Sequence, residues 1–339
     1  MQQVIKGANS LSLLPGLIAR QDANRILFVT GHHVLGEKVF RELTASITLP
    51  YDVVHPEEGV LQISRIPGYE TLDTIVAIGG GKVLDFAKGI IFQHKKPVRF
   101  IAVPTTAGSG SETTPIAVFY EGKRKVSLDA PHLLPEVAIL DRELVRNLPP
   151  YQKAVSGADA LAQCIESVWN IYSTGNSEDY ALVGLELLWN NLLPFTKGNN
   201  GSITEKVMWG SHLGGKAVTL TRTTAPHALS YYLTANYGVP HGQAVALTLP
   251  LFFLYNQTGT AEKKLRKIFE LLKVHEAEAA FESSRNLFRQ LGLATSLKEL
   301  GLKHIDLHQW LASVDQQRFG NNPVPFDADR LYHLFQRYL

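Results

Sequence analysis

The first half of the chain alternates short apolar runs, rich in β-branched residues, with stretches of helical periodicity. Arg25 to Thr30 (RILFVT), Tyr51 to His55 (YDVVH), Thr74 to Ile78 (TIVAI), Val98 to Val103 (VRFIAV) and Glu136 to Leu140 (EVAIL) each read as strands. Helical patterns run from Val34 to about Ser46 and from Val83 to Phe92. The strands are nearly continuous in apolar residues, as strands covered on both faces are, and strand–helix alternation predicts a mostly parallel, doubly wound α/β sheet. After Leu148-Pro149-Pro150 the texture becomes helical, with long stretches from Asp179 to Leu193, Thr204 to Thr219 and Ala261 to Leu272. The pattern therefore predicts an α/β domain over 1–149 and an all-α domain over 150–339.

At 339 residues the chain is long enough for two cores of ordinary size. Its 45% hydrophobic and 19% charged residues are a globular balance, and a formal charge of +2 leaves no footprint for nucleic acid. The one basic run, Lys123-Arg124-Lys125, reads as a solvated turn, with Lys125 a candidate for a local anion contact. The single cysteine, Cys164, excludes a disulfide framework and a thiolate-rich metal site, and its apolar surroundings mark a buried bystander. The first residues lack the charged-then-apolar order of a signal peptide, and no apolar run approaches the roughly 20 residues that span a bilayer. A cytoplasmic protein without a membrane partner is the expectation.

Gly79-Gly80-Gly81 follows a strand and opens a helix. Glycines there let the backbone approach a phosphate, which the helix N-terminus favours, and Lys82 can add a contact to a pyrophosphate. A tight turn is the competing reading, since the run is not the GxGxxG fingerprint. A second small-residue loop, Pro104 to Glu112, follows the next strand, where doubly wound sheets place their ligands. The first strand ends in Thr30-Gly31-His32-His33 without a carboxylate. An acid at such a strand end usually binds the ribose hydroxyl of NAD, so its absence favours NADPH, with NADH possible, and an imidazole is at hand for the 2′-phosphate.

In the second half, Asp159 and Gln163 are four apart and leave one helical face together. His227 follows a helix start at Thr224-Ala225-Pro226, and His241 follows a break at Asn236-Tyr237-Gly238 that lets the chain turn back. Two imidazoles, a carboxylate and an amide oxygen suit Fe²⁺ or Zn²⁺ with a position left open. Each residue taken singly also has a structural reading, as a helix cap, a surface amide or a core histidine.

Together these segments resemble the iron-containing, or group III, alcohol dehydrogenase family. The matching stretches are GGGKVLDFAKGI (79–90), PTTAGSGSETTPIAV (104–118), ILDRELVRNLPP (139–150), SGADALAQCIE (156–166) and PHALSYYLTANYGVPHGQAVALTLP (226–250). The resemblance implies a dinucleotide-binding α/β domain, a helical metal domain of the kind dehydroquinate synthases also carry, and a cleft where hydride passes from nicotinamide to a carbonyl polarised by the metal. It places Asp159, His227 and His241 among the ligands, with Gln163 where the family has histidine. Tyr231 stands where relatives often have a histidine proposed to relay a proton. Gly31, Gly79, Gly80, Gly81, Lys82, Asp85, Thr105, Thr106, Ser109 and Lys125 fall on or beside cofactor positions.

Within the family, the segments around Asp159 and His227 look most like phosphonoacetaldehyde reductases, which would make 2-hydroxyethylphosphonate. A dianionic substrate calls for cations, and Arg222 and Lys216 are the candidates. Alternatives are the same chemistry on a neutral aldehyde, lactaldehyde, a polyol or a hydroxybutyrate, a dehydroquinate synthase-like lyase, or a metal-free binding protein in which Gln163 marks decay. A homodimer is the expectation for a soluble enzyme of this size.

Overall fold

The computed structural model describes residues 2–19, 23–32, 34, 38–56, 66, 68–94, 96–122, 124–257 and 261–339, with backbone only at 120, 121 and 124. His33, Lys123 and part of the helix expected from Val34 lie outside the described residues. The chain divides into two compact units, Met1–Asn147 and Leu148–Leu339.

The first unit contains strands β1 (Gln3–Gly7), β2 (Ile26–Thr30), β3 (Tyr51–Val54), β4 (Thr74–Gly79), β5 (Arg99–Pro104), β6 (Ile116–Glu121), β7 (Arg124–Asp129) and β8 (Val137–Asp141). Its helices are α1 (Leu14–Ala19), α2 (Lys38–Ala45) and α3 (Gly81–Gln93). Six strands form one parallel sheet in the order β1-β8-β5-β4-β2-β3. Alternate residues of β2, β4 and β5 enter different cores. Leu27, Val29, Ile75 and Ala77 pack with Leu84, Ala87 and Ile90 of α3, whereas Ile26, Phe28, Val76 and Ile78 pack with Phe40 and Leu43 of α2. Burial on both faces explains why these strands are apolar throughout.

The chain passes outward from β2 to β3, then returns to the other side of β2 for β4, so the strand order reverses between β2 and β4. The strand ends emerge side by side there, with Thr30 opposite Ile78 and Gly79 opposite Pro104. Three strands of this unit were not anticipated. β1 is a partly exposed edge strand whose partner, β8, lies about 130 residues away, with Gln3 opposite Val137. β6 and β7 form an antiparallel hairpin, so Lys125 sits in a strand opposite Tyr120 and not in a turn.

The second unit is helical: α4 (Pro150–Trp169), α5 (Gly175–Lys197), α6 (Gly201–Thr221), α7 (Ala225–Tyr237), α8 (His241–Thr248), α9 (Leu251–Tyr255), α10 (Glu262–Leu272), α11 (Ala277–Gln290), α12 (Leu307–Ala312), α13 (Gln316–Phe319) and α14 (Ala328–Tyr338). Proline at the start of α4 costs no hydrogen bond, because a first-turn N–H has no partner within the helix. A Thr174–Ser177 capping box opens α5, and the Asn200 side chain caps α6. α4 packs against α5 and α6, and Cys164 fills that packing, fully buried, with burial pushing its thiol pKa up. Among the described residues no helix is long and apolar enough to cross a membrane.

Candidate functional site

Asp159, His227 and His241 come together in the helical unit, each offering a ligand atom within 4.8 Å of the others. Asp159 projects from α4, which is buried along most of its length, and His227 from the first turn of α7. α7 stops at Gly238, in the left-handed region, and Pro240 leads into α8, whose first residue is His241. The two imidazole centroids are thereby 5.2 Å apart. A close approach of main chains holds the joint: a methyl on Gly242 would run into the Val155 carbonyl oxygen of α4.

Both histidines turn the same nitrogen toward the carboxylate. His227 Nε2 lies 3.1 Å and His241 Nε2 3.8 Å from Asp159 Oδ1. Their Nδ1 atoms face outward, that of His241 3.3 Å from the Ser230 hydroxyl and that of His227 onto Glu166 Oε2. Glu166 is fully buried. Its other oxygen accepts from Thr224 N and Thr224 Oγ1, each at 2.9 Å, and from His227 N at 3.4 Å. A carboxylate borrowed from α4 therefore caps the N-terminus of α7 and orients the imidazole in its first turn.

The charges follow from this geometry. Burial works against a charged His227, but the Glu166 and Asp159 carboxylates outweigh it and raise the imidazole from 6.5 to about 10. Burial alone would raise Asp159. Hydrogen bonds from His227 and Gln163, with the charge of both histidines, hold it below its ordinary value instead. Asp159 and His227 are buried, whereas the His241 side chain is 35% exposed, so the cluster is reached from the His241 side.

This donor set fits a divalent cation. One carboxylate and two imidazoles converge, both histidines point Nε2 inward, and each has its Nδ1 engaged, as metal-binding histidines do. Gln163 is buried one turn along α4 and hydrogen-bonds Asp159. Tyr231 stacks on His241 at 6.0 Å with an interplanar angle of 12°. Glu166 was not anticipated from sequence. Its signal was available, because 159, 163 and 166 follow i, i+4, i+7 and share one helical face.

The two cation candidates lie differently. Lys216 places its ammonium 5.1 Å from the ring centre of Tyr180 on α5. A methyl on Gly214, two residues earlier and thus about 200° round α6, would meet Cys164 Sγ, the Ala160 carbonyl oxygen and Gln163 Cβ on α4. Arg222 closes α6 with φ 67°, a left-handed conformation rare outside glycine. Asn170 Nδ2 holds that corner through the Thr221 and Arg222 carbonyls, and Arg222 Nη1 donates to Thr219 O.

In the α/β unit, Gly79-Gly80-Gly81 joins β4 to α3 as expected. Thr105 N donates to Gly79 O at 3.0 Å, and a methyl on Gly81 would come within 2.8 Å of Ser109 Oγ, so the two loops touch. Thr106 lies against Gly80, and Lys82 is exposed in the first turn of α3. Beside them, half-buried Gly31 follows Thr30, whose hydroxyl donates to Ile78 O. The rings of His32 and His55 stand 4.3 Å apart at the ends of β2 and β3, and His55 Nδ1 donates to Thr30 O at 2.7 Å. Asp85 is turned to the protein: it accepts from Ser111 Oγ at 2.6 Å and Val118 N at 3.1 Å. Burial raises its pKa against the pull of Lys88, those two hydrogen bonds and Lys125.

Comparison with known proteins agrees in both units. Residues 2–142 match the family model for iron-containing alcohol dehydrogenase, and 153–339 match the C-terminal model of the Fe-containing alcohol dehydrogenase family. A 4-hydroxybutyrate dehydrogenase of Clostridium kluyveri is 28% identical over 83% of this chain and 82% of its own. A phosphonoacetaldehyde reductase of Streptomyces viridochromogenes is 32% identical over 75% of this chain and 72% of its own. The crystal structure of sulfoacetaldehyde reductase from Bifidobacterium kashiwanohense with NAD⁺ superposes with a TM-score of 0.87 at 25% identity, covering 99% of this chain and 96% of that one.

Proposed function

The chain belongs to the iron-containing alcohol dehydrogenase family, and on that premise we propose that it reduces a short aldehyde with an anionic head group, phosphonoacetaldehyde first, to the alcohol. The observation that carries the reading is the convergence of Asp159, His227 and His241 with Glu166 behind it. A cation held by these three residues and Gln163, Fe²⁺ or Zn²⁺, supplies Lewis-acid polarisation of the carbonyl, and a reduced nicotinamide supplies the hydride.

The residues of the chain do the rest. Glu166 keeps the His227 proton on Nδ1, so that Nε2 can present a lone pair. Asp159 brings the negative charge that a divalent cation needs, and Gln163 steadies that carboxylate from the same helix. Tyr231 fixes the plane of His241 by stacking, on the side where the cluster is reached. The glycine turn and the Thr105–Ser109 loop hold the dinucleotide by main-chain groups and hydroxyls, assisted by Lys82 and, near Asp85, Lys125.

Two relatives support the anionic head group, since phosphonoacetaldehyde and sulfoacetaldehyde both carry a tetrahedral anion on a two-carbon aldehyde. Arg222 is the residue we assign to it, because it closes α6 five residues before His227, whereas Lys216 lies over Tyr180 of α5. For the nucleotide we propose NADPH over NADH: β2 ends without a carboxylate, and the His32–His55 pair offers imidazole nitrogens to a 2′-phosphate. The test is a steady-state screen with NADPH and NADH of phosphonoacetaldehyde, sulfoacetaldehyde, lactaldehyde and succinic semialdehyde, with Fe²⁺ or Zn²⁺. The phosphonate and sulfonate aldehydes are expected to lead in kcat/KM by at least tenfold, and a lead by neutral lactaldehyde, or by succinic semialdehyde with its planar carboxylate, would overturn the assignment.

A further inference from the structure

Lys88 has no part in the chemistry above, yet its burial is complete. It lies on α3 one turn beyond Asp85, and its Nζ donates to Ser111 O at 2.6 Å, Ser111 Oγ at 2.8 Å, Ile116 O at 2.7 Å and Thr114 Oγ1 at 3.3 Å. All four acceptors belong to one short segment, 111–116. Asp85 grips the same segment through Ser111 Oγ, and Val118 N just beyond it. Ser111 N in turn donates to Ser109 Oγ at 3.3 Å, and Ser109 is the side chain that meets Gly81 at the mouth of α3.

We propose that Lys88, with Asp85, Ser111 and Thr114, is a positioning clamp that locks the Pro104–Ser109 loop onto the glycine turn and so sets the affinity for the nicotinamide cofactor. The reasoning is geometric. Loop 104–116 has few apolar side chains to anchor it, and a loop that must contact phosphate and ribose gains affinity when it is already ordered. An ammonium spends its three N–H groups over four carbonyl and hydroxyl oxygens, and methionine, of similar length, would leave the two carbonyls only the long contacts from Thr114 N at 3.5 Å and Thr114 Oγ1 at 3.4 Å. The clamp is internal to the α/β unit and rests only on the use of a nicotinamide cofactor, whichever nucleotide and substrate are preferred.

Burial lowers the Lys88 ammonium to about 8 against the opposing charges of Asp85 and Glu112. The charged groups facing the network are these two and Lys125 on β7, which acts on Asp85. Cofactor affinity should therefore weaken above pH 8, as the amine drops to two N–H groups.

The test is fluorescence titration of the metal-loaded enzyme with NADPH and NADH, alongside kinetics. Lys88→Met should weaken cofactor binding at least tenfold, raise the cofactor KM in proportion, and leave kcat at saturating cofactor within threefold and metal content unchanged. Lys88→Arg, which keeps a charge and several donors, should recover part of the affinity and bind equally at pH 7 and 9. Ser111→Ala and Thr114→Val are milder probes should Lys88→Met fold poorly, and each is expected to weaken binding two- to fivefold. Wild-type affinity in Lys88→Met, or in the Ser111 and Thr114 variants if Lys88→Met does not fold, would overturn the clamp alone. A wild type that binds neither nucleotide would take the functional reading down with it.

Discussion

Each unit buries an acid and a cationic partner, and the two sets are compensated in different ways. In the helical unit Glu166 and Asp159 hold His227 from opposite sides, and Asp159 also draws His241 Nε2 to 3.8 Å. Those charges converge on a point one side of which is open to solvent. In the α/β unit Asp85 and Lys88 turn their hydrogen bonds on the protein's own loop. The difference teaches that a buried charge can serve a ligand in two ways. It may be offered to that ligand directly, as at Asp159, or used up in holding still the backbone that meets it, as at Lys88.

The largest expected effect breaks the helical side of this comparison. Asp159→Ala removes the shared carboxylate, and it should abolish tight metal binding and lower kcat/KM by at least about 10³-fold, in line with losing a preorganised charge, while circular dichroism stays unchanged. Metal analysis and turnover check this, and wild-type activity would defeat the metal scheme. Glu166→Gln is subtler. The variant keeps acceptors for Thr224 but can turn an amide N–H toward His227 Nδ1, which favours the tautomer with its proton on Nε2. Metal affinity, read by competition with a chelator, should fall about 10- to 100-fold, the usual range for such supporting groups; an unchanged affinity would leave Glu166 a plain helix cap.

The smallest effect sharpens the contrast through pH. In the metal-free protein His227 is raised from 6.5 to about 10, so its stabilisation is full below 6.5 and lost as pH rises through 10. Lys88 is lowered from 10.5 to about 8, so it binds fewer protons folded than unfolded between those values, and stability gains there as pH rises. Thermal melts of the wild type against His227→Gln should show a difference that shrinks from pH 6.5 to 10. Melts against Lys88→Met should show one that moves in the opposite sense between 8 and 10.5. Parallel trends in the two series would mean that the buried charges are not compensated as described.

Much of this was legible in the sequence, and the omissions have physical causes. The four central strands announced themselves because burial on both faces demands unbroken apolar runs, as in Ile26–Val29 and Ile75–Ile78. β1 did not, since QVIKG is a mixed edge whose identity depends on β8 far along the chain. Asp159, His227 and His241 were found from spacing and family likeness together, and the structure brings them to one point. Glu166 lies one turn further along the helical face of Asp159 and Gln163, and the helix start it caps is 58 residues away in sequence. The hydrogen bonds of Asp85 to Ser111 and Val118 depend on a loop about 30 residues away, which spacing along the helix after the glycines does not reveal.

The approach of Gly242 to Val155 carries a consequence for redesign. Position 242 acts as a mechanical stop between α4 and α8, so a larger residue there would displace His241 and not merely crowd it. Anyone retuning the metal or the substrate would turn first to Gln163 and Tyr231, which meet the centre through a hydrogen bond to the Asp159 carboxylate and a stack on the His241 ring. The backbone seam beneath His241 leaves no such room, and libraries that vary it would be searching among proteins that have lost their centre.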